Sequence, residues 1–67
     1  MPTDVFVRAK EVTKLTGVSR SQIYRLVNLD QFPQPIKLSE RCVAWSAAEI
    51  ERWQKERIAQ RNKELEA

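Results

Sequence analysis

Histidine is absent from this 67-residue chain and cysteine occurs once, at Cys42. An intrachain disulfide is therefore excluded, no His and Cys cluster exists to hold zinc, and a reducing cytoplasm is the compartment such usage fits. Glycine also occurs once, so there is no glycine-rich phosphate loop, and no carboxylates group apart from the charge-balanced carboxy-terminal third. Catalysis, cofactor binding and metal binding are not expected. No apolar run approaches a membrane span, and Met1-Pro2-Thr3-Asp4 lacks the charged and apolar regions of a signal peptide, so a soluble cytoplasmic protein is expected. A chain this short supports one domain with a small core and modest stability.

What is present is spaced for burial. Phe6, Val12, Leu15, Val18, Ile23, Leu26, Phe32, Ile36, Val43, Trp45, Ile50 and Trp53 recur along most of the chain, without internal repeat or low-complexity stretch. The formal charge is +3, and its distribution is uneven. Residues 1 to 45 carry seven Lys or Arg against four Asp or Glu, while residues 46 to 67 carry five of each. The excess in the first part points weakly toward a polyanion.

The most informative segment runs from Glu11 to Val27. Val12 and Leu15 are three apart, and Ile23, Leu26 and Val27 follow the i, i+3, i+4 spacing, which predicts two short helices whose apolar stripes close on each other. Gly17 falls at the turn, where a left-handed residue is common, and Val18 fills the gap between the helices. Ser19 followed by Gln22 has capping-box spacing and starts the second helix. Its outward face would then carry Arg20, Ser21, Tyr24, Arg25 and Asn28. This is the composition a recognition helix needs in a major groove, because arginine can donate two parallel bonds to a guanine edge. An ordinary solvated helix carries similar residues; the glycine turn and the cap favour the recognition helix.

Downstream, Pro33 and Pro35 are expected to end the second helix within Asp30-Gln31-Phe32-Pro33-Gln34-Pro35 and stiffen an extended path, with Phe32 packed on the core. Ile36-Lys37-Leu38 and Cys42-Val43-Ala44-Trp45 read as a hairpin around Ser39-Glu40-Arg41. In a winged helix-turn-helix this is the wing, with Lys37 and Arg41 as the cations near its edge. A plain solvent-exposed turn remains open as the alternative. Ser46 and Glu49 repeat the capping-box spacing, and Ile50 and Trp53 follow, predicting a last helix from near Ala47. Beyond Trp53 apolar residues thin to Ile58 and Leu65, one heptad step and too little for a coiled coil, so this end is expected to project or fray. Val5-Phe6-Val7 suits either a short strand or a hydrophobic staple. Cys42 and both tryptophans are read as core.

These residues also resemble a known family, the AlpA-like prophage regulators, small bacterial and phage DNA-binding proteins related to excisionases and to the amino-terminal domain of MerR-type regulators. The resemblance spans roughly residues 6 to 58 and rests on four blocks in order. They are Phe6-Val7-Arg8-Ala9-Lys10-Glu11-Val12, the run from Thr16 through Leu26, Phe32-Pro33-Gln34-Pro35-Ile36-Lys37-Leu38, and Arg41-Cys42-Val43-Ala44-Trp45 with the following Glu49-Ile50-Glu51-Arg52-Trp53. The family's Leu-Ser-Arg-Ser-Thr-Ile-Tyr-Arg type of helix entry and its Phe-Pro-x-Pro-Val-x-Leu exit are the closest parallels. The resemblance implies a winged helix-turn-helix; with the residue pattern above, the expectation is a mainly α, three-helix domain over residues 1–58, followed by a charged helical or frayed extension over 59–67. It also implies regulation of promoters near prophage integration genes, or assistance to excision by bending DNA. Carried over by position, Ser19, Arg20, Ser21, Tyr24 and Arg25 are recognition contacts and Arg41 is a wing contact. Two departures stand out: Ser39-Glu40 occupies a wing turn where the family often has glycine, and Ala44 precedes Trp45. The negative charge of Glu40 argues against deep insertion of the wing between phosphates.

The expected function is therefore a prophage-type, sequence-specific regulator of double-stranded DNA, bacterial or phage-encoded and associated with the nucleoid. Its further expected partners are a second copy of itself, as a dimer or a cooperative assembly on DNA, and RNA polymerase or phage recombination proteins. An excisionase-like architectural factor, and a protein-binding adaptor or antirepressor working through the carboxy-terminal helix, are the alternatives.

Overall fold

Serine side chains cap the starts of the second and third helices, and backbone N–H groups of left-handed residues close the ends of the first and second. The computed structural model describes residues 3–66. Its elements in chain order are β1 (Phe6–Val7), α1 (Ala9–Thr16), α2 (Arg20–Asn28), β2 (Ile36–Ser39), β3 (Cys42–Ser46) and α3 (Ala47–Glu66). Three helices and a small antiparallel sheet make a mainly helical winged helix-turn-helix, the fold class the sequence indicated.

α1 closes on Gly17, which sits at φ 76° and donates its N–H to the Thr13 carbonyl at 2.8 Å. A side chain there would meet open space, so the requirement is for the left-handed backbone rather than for room. Thr16 reinforces the turn, its hydroxyl donating to the Val12 carbonyl at 2.8 Å and accepting from the Val18 N–H at 3.2 Å. α2 ends earlier than the prolines would dictate. Asp30, at φ 58°, donates its N–H to the Val27 carbonyl at 3.1 Å, and Gln31 donates to the Leu26 carbonyl at 2.8 Å. This is a Schellman closure with aspartate in the left-handed position, which Asp tolerates better than most residues. Pro33 and Pro35 lie beyond it and stiffen the exit rather than terminating the helix.

The sheet has the order β1-β3-β2, antiparallel throughout, with Phe6 opposite Ser46 and Val7 opposite Trp45 on one side of β3. On the other side Ile36 faces Ala44 and Lys37 faces Val43, and a register shift between Lys37 and Ser39 makes a bulge in β2. Within Val5-Phe6-Val7, the pair Phe6–Val7 therefore forms a strand, which answers the choice left open by its composition. Because β3 is central, Ala44, Trp45 and Ser46 are all buried and the usual alternation disappears.

Ala9, Val12, Ile23, Phe32, Trp45 and Ile50 form the core, with Val7, Val18, Leu26, Val27, Val43 and Trp53 packed around it. Each fully buried aliphatic or aromatic side chain contributes roughly 1.5–3 kcal/mol by leaving water. Four residues expected in this core lie outside it; of these, Ile36 and Cys42, on the two hairpin strands, are half-buried. Leu15 is 49 % exposed, because the α1 stripe that reaches the core is Ala9 and Val12, and Phe6 is 50 % exposed, because Val7 is the β1 residue that turns inward.

Both tryptophans anchor the irregular segment between α2 and β2. The Trp45 indole N–H donates to the Pro33 carbonyl at 2.9 Å, and that of Trp53 donates to the Gln31 carbonyl at 3.0 Å. Phe32, between those carbonyls in sequence, packs edge-on against Trp53 with centroids 4.8 Å apart. The Gln34 amide returns to the Val27 carbonyl at 3.1 Å.

α3 starts with a more elaborate cap than Ser46 and Glu49 alone foretold. Ser46 Oγ accepts the Glu49 N–H at 3.2 Å and donates to Asp4, whose other oxygen accepts the Ala48 N–H at 3.3 Å. Asp4 thereby lends negative charge to a helix N-terminus. The Ser46 hydroxyl, the Ala48 N–H and the Val5 N–H hold its carboxyl below the usual value, more than desolvation raises it.

Replacing Gly17 by Ala should cost about 1–2 kcal/mol in denaturant unfolding through left-handed strain, and Gly17→Asn should cost less. Asp4 has a depressed folded pKa, so its stabilisation is full above the unfolded pKa and is lost as pH falls through the folded one. Melting Asp4→Asn beside the parent should therefore show a deficit at neutral pH that closes on acidification below about pH 4.

Candidate nucleic-acid interface

α2 is held by one face and left free on the other. Ile23 is fully buried, Leu26 and Val27 pack against the core, and Ser19, Arg20, Ser21, Gln22, Arg25 and Asn28 are exposed. Ser19 caps the helix, its hydroxyl accepting the Gln22 N–H at 3.3 Å. Among the described residues the reciprocal bond of a capping box, from the Gln22 side chain back to Ser19, is not formed. The Gln22 amide is consequently another exposed donor and acceptor at the leading end of this helix, beside the residues singled out from sequence.

Tyr24 departs from a free surface position. It is 38 % exposed, and its ring meets Trp45 edge to face, with centroids 5.9 Å apart and planes inclined at 65°. Since Trp45 belongs to β3, this contact joins the second helix of the helix-turn-helix to the central strand of the sheet. The phenol is thus shared between packing and whatever its exposed edge meets. Sequence periodicity placed Tyr24 outward correctly in angle but had no means of placing Trp45 beneath it.

On the hairpin, Lys37 is exposed on β2 and Arg41 is exposed in the Glu40-Arg41 turn. The cations on both elements are unencumbered: among the described residues the ion pair formed is Lys55 with Glu51, at 3.1 Å on α3, and none involves Arg20, Arg25, Lys37 or Arg41. α1 adds Lys10 and Lys14, i, i+4 neighbours, both exposed and on the side away from Val12. Charge counting included these two lysines in the basic excess, but helix periodicity was needed to show that they share a face. Among the described residues no group of His, Cys, Asp and Glu has the makings of a metal site, and no helix is long and apolar enough to cross a membrane.

A capped, basic second helix beside a short antiparallel hairpin defines the winged helix-turn-helix class. Within it, the chain belongs to the AlpA family of prophage regulatory proteins: the model of the prophage CP4-57 regulatory protein (AlpA) matches residues 5–58. It is also similar to the uncharacterized protein ORF88 of Enterobacteria phage P4, at 40 % identity over 62 residues, which cover 92 % of this chain and 70 % of that protein. The family is a regulatory rather than an enzymatic one, and the chain is accordingly a prophage-type regulator.

The Tyr24–Trp45 contact predicts a separation between two substitutions. Tyr24→Ala should lower stability by about 1–2 kcal/mol in thermal or urea melts, because an aromatic pair and its buried area are lost. Tyr24→Phe keeps the ring and should melt within about 0.5 kcal/mol of the parent.

Proposed function

We propose that this regulator binds duplex DNA sequence-specifically, with α2 in the major groove and the β2–β3 hairpin on the sugar-phosphate backbone. The observation that carries this reading is the exposed face of α2, on which Arg20, Ser21, Gln22 and Arg25 stand free of carboxylate partners. A rigid helix presenting unpaired guanidinium groups suits bidentate recognition of guanine, and Ser21 and Gln22 supply shorter hydrogen-bonding groups. Lys37 and Arg41 neutralise phosphates from the wing, while Lys10 and Lys14 do so from the first helix, which crosses the backbone in this motif. Ser19 shapes the leading end of α2, and Tyr24 holds it against the sheet while offering its hydroxyl edge.

One such module covers little DNA and brings few charges, so high affinity requires adjacent sites occupied by more than one copy. The setting is the bacterial cytoplasm, where RNA polymerase or the phage recombination proteins are the partners through which binding becomes regulation. An architectural role in excision uses the same surfaces and is distinguished by DNA bending. Moving the site from the centre to the end of a fragment leaves gel mobility unchanged for a pure regulator and changes it for a bending factor. An adaptor working through the exposed end of α3 is tested by truncation after Ile58: regulation that survives the cut rules it out.

Selection from a random duplex pool at low and near-physiological salt should return a short recurrent motif at both; loss of any motif at the higher salt would refute base reading. On the recovered site, Arg20→Ala or Arg25→Ala should each cost about 1–3 kcal/mol and relax preference at one position. Arg41→Ala should weaken all duplexes alike and reduce the slope of log K against log salt by about 1.

A further inference from the structure

Leu15, Ile58 and Leu65 are exposed aliphatic side chains that neither the core nor the DNA-facing surfaces use, at 49 %, 51 % and 77 % exposure. They are not scattered. The Gln54 side chain donates to the Leu15 carbonyl at 2.7 Å, which fixes the end of α1 beside α3. Ile58 lies one turn beyond Gln54 on the same face, and Leu65 lies two turns beyond Ile58, about 10 Å further along. The end of α1 that carries Leu15 therefore adjoins the face of α3 that continues, through Ile58 and Leu65, along the part of the helix that has left the domain. From Lys55 to Glu66 every residue of α3 is exposed. Three helical turns carrying an apolar stripe, with nothing packed upon it, form a face shaped for another helix.

We propose that this face pairs with the same face of a second copy, the two α3 helices running antiparallel. Charge selects the partner and its direction. Arg57 and Glu64 each precede a stripe residue and so lie on the same flank of the stripe, while Lys55 and Asn62 lie on the other. In an antiparallel pair equal flanks meet, placing Arg57 of each copy against Glu64 of the other. In a parallel pair Arg57 would meet Asn62 and find no carboxylate. The antiparallel direction also opposes the helix dipoles. It carries Leu65 of the second copy back toward Gln54, over the gap between Leu15 and Ile58, which accounts for a leucine left exposed at the end of α1. Arg61, between the two aliphatic residues, donates from Nε and Nη2 to its neighbour Asn62 at 3.3 and 3.0 Å, which carries its guanidinium across to the Asn62 flank with the stem crossing the stripe.

A contact of this length falls short of the roughly 800 Å² per partner of a standard stable interface. The pair is therefore weak in free solution and becomes important when two copies occupy neighbouring positions. It stands whether or not the chain reads DNA, and its test needs no DNA.

Sedimentation equilibrium of the full chain from about 10 µM to about 1 mM should show the mass rising from 7.9 kDa toward twice that value. Ile58→Asp and Leu65→Asp should each hold it at the monomer value with the melting curve unchanged. Arg57→Glu should weaken association at least tenfold by setting a second carboxylate against Glu64, and the double variant Arg57→Glu, Glu64→Arg should restore it. A monomer mass throughout, association that survives Ile58→Asp, or a double variant that stays monomeric would each overturn the proposal.

Discussion

Trp45 is the side chain on which the rest of the arrangement depends. It is fully buried at the middle of the central strand, opposite Val7 of β1, and its indole N–H is bound to the Pro33 carbonyl. It also supports Tyr24 of α2 from below. One residue of the hairpin thus meets the first strand, the second helix and the connecting segment. In a chain too short for a large core, concentrating these contacts on a rigid bicyclic ring obtains much burial for little lost side-chain entropy. Its single polar atom is satisfied, so burial carries no desolvation penalty left uncompensated.

The basic surfaces follow from this anchoring. α2 needs one buried residue, Ile23, and its flanking aliphatics to fix its inner face; its outer face is then free to carry guanidinium groups without carboxylate neighbours. The hairpin is fixed at its base by β3, and its bulge lies toward the turn that carries Arg41. Surface cations that form no ion pairs within the protein lose nothing internal when they meet phosphate. The membership in a prophage regulatory family and the unpaired cations on helix and hairpin are the two grounds for the proposed contact with nucleic acid.

α3 divides into two parts with different physics. Up to Gln54 it belongs to the domain, through Ile50 in the core, Trp53 against Phe32 and Gln54 on α1. Arg57, 5.2 Å from the Trp53 ring centroid, extends that attachment by a turn. From there the helix continues to Glu66 with only local interactions within the chain. The boundary drawn from sequence near Ile58 marks where apolar spacing thins, and the helix itself passes through it without interruption.

The sequence by itself determined the order and kind of the elements, because periodicity, caps and turn residues are local. Gly17, Ser19 and Ser46 mark helix ends through bonds to residues three or four positions away, and any chain with those residues would respond similarly. It also determined which arginines and lysines lie on the outer faces. Tertiary structure alone decided that Leu15 and Phe6 would remain exposed, that Asp4 would complete a cap 44 residues away, and that Tyr24 would rest on Trp45. Each depends on which surface another segment brings against it. Hydropathy describes what a side chain prefers, whereas burial requires a partner in place, and the partner is set by packing in three dimensions.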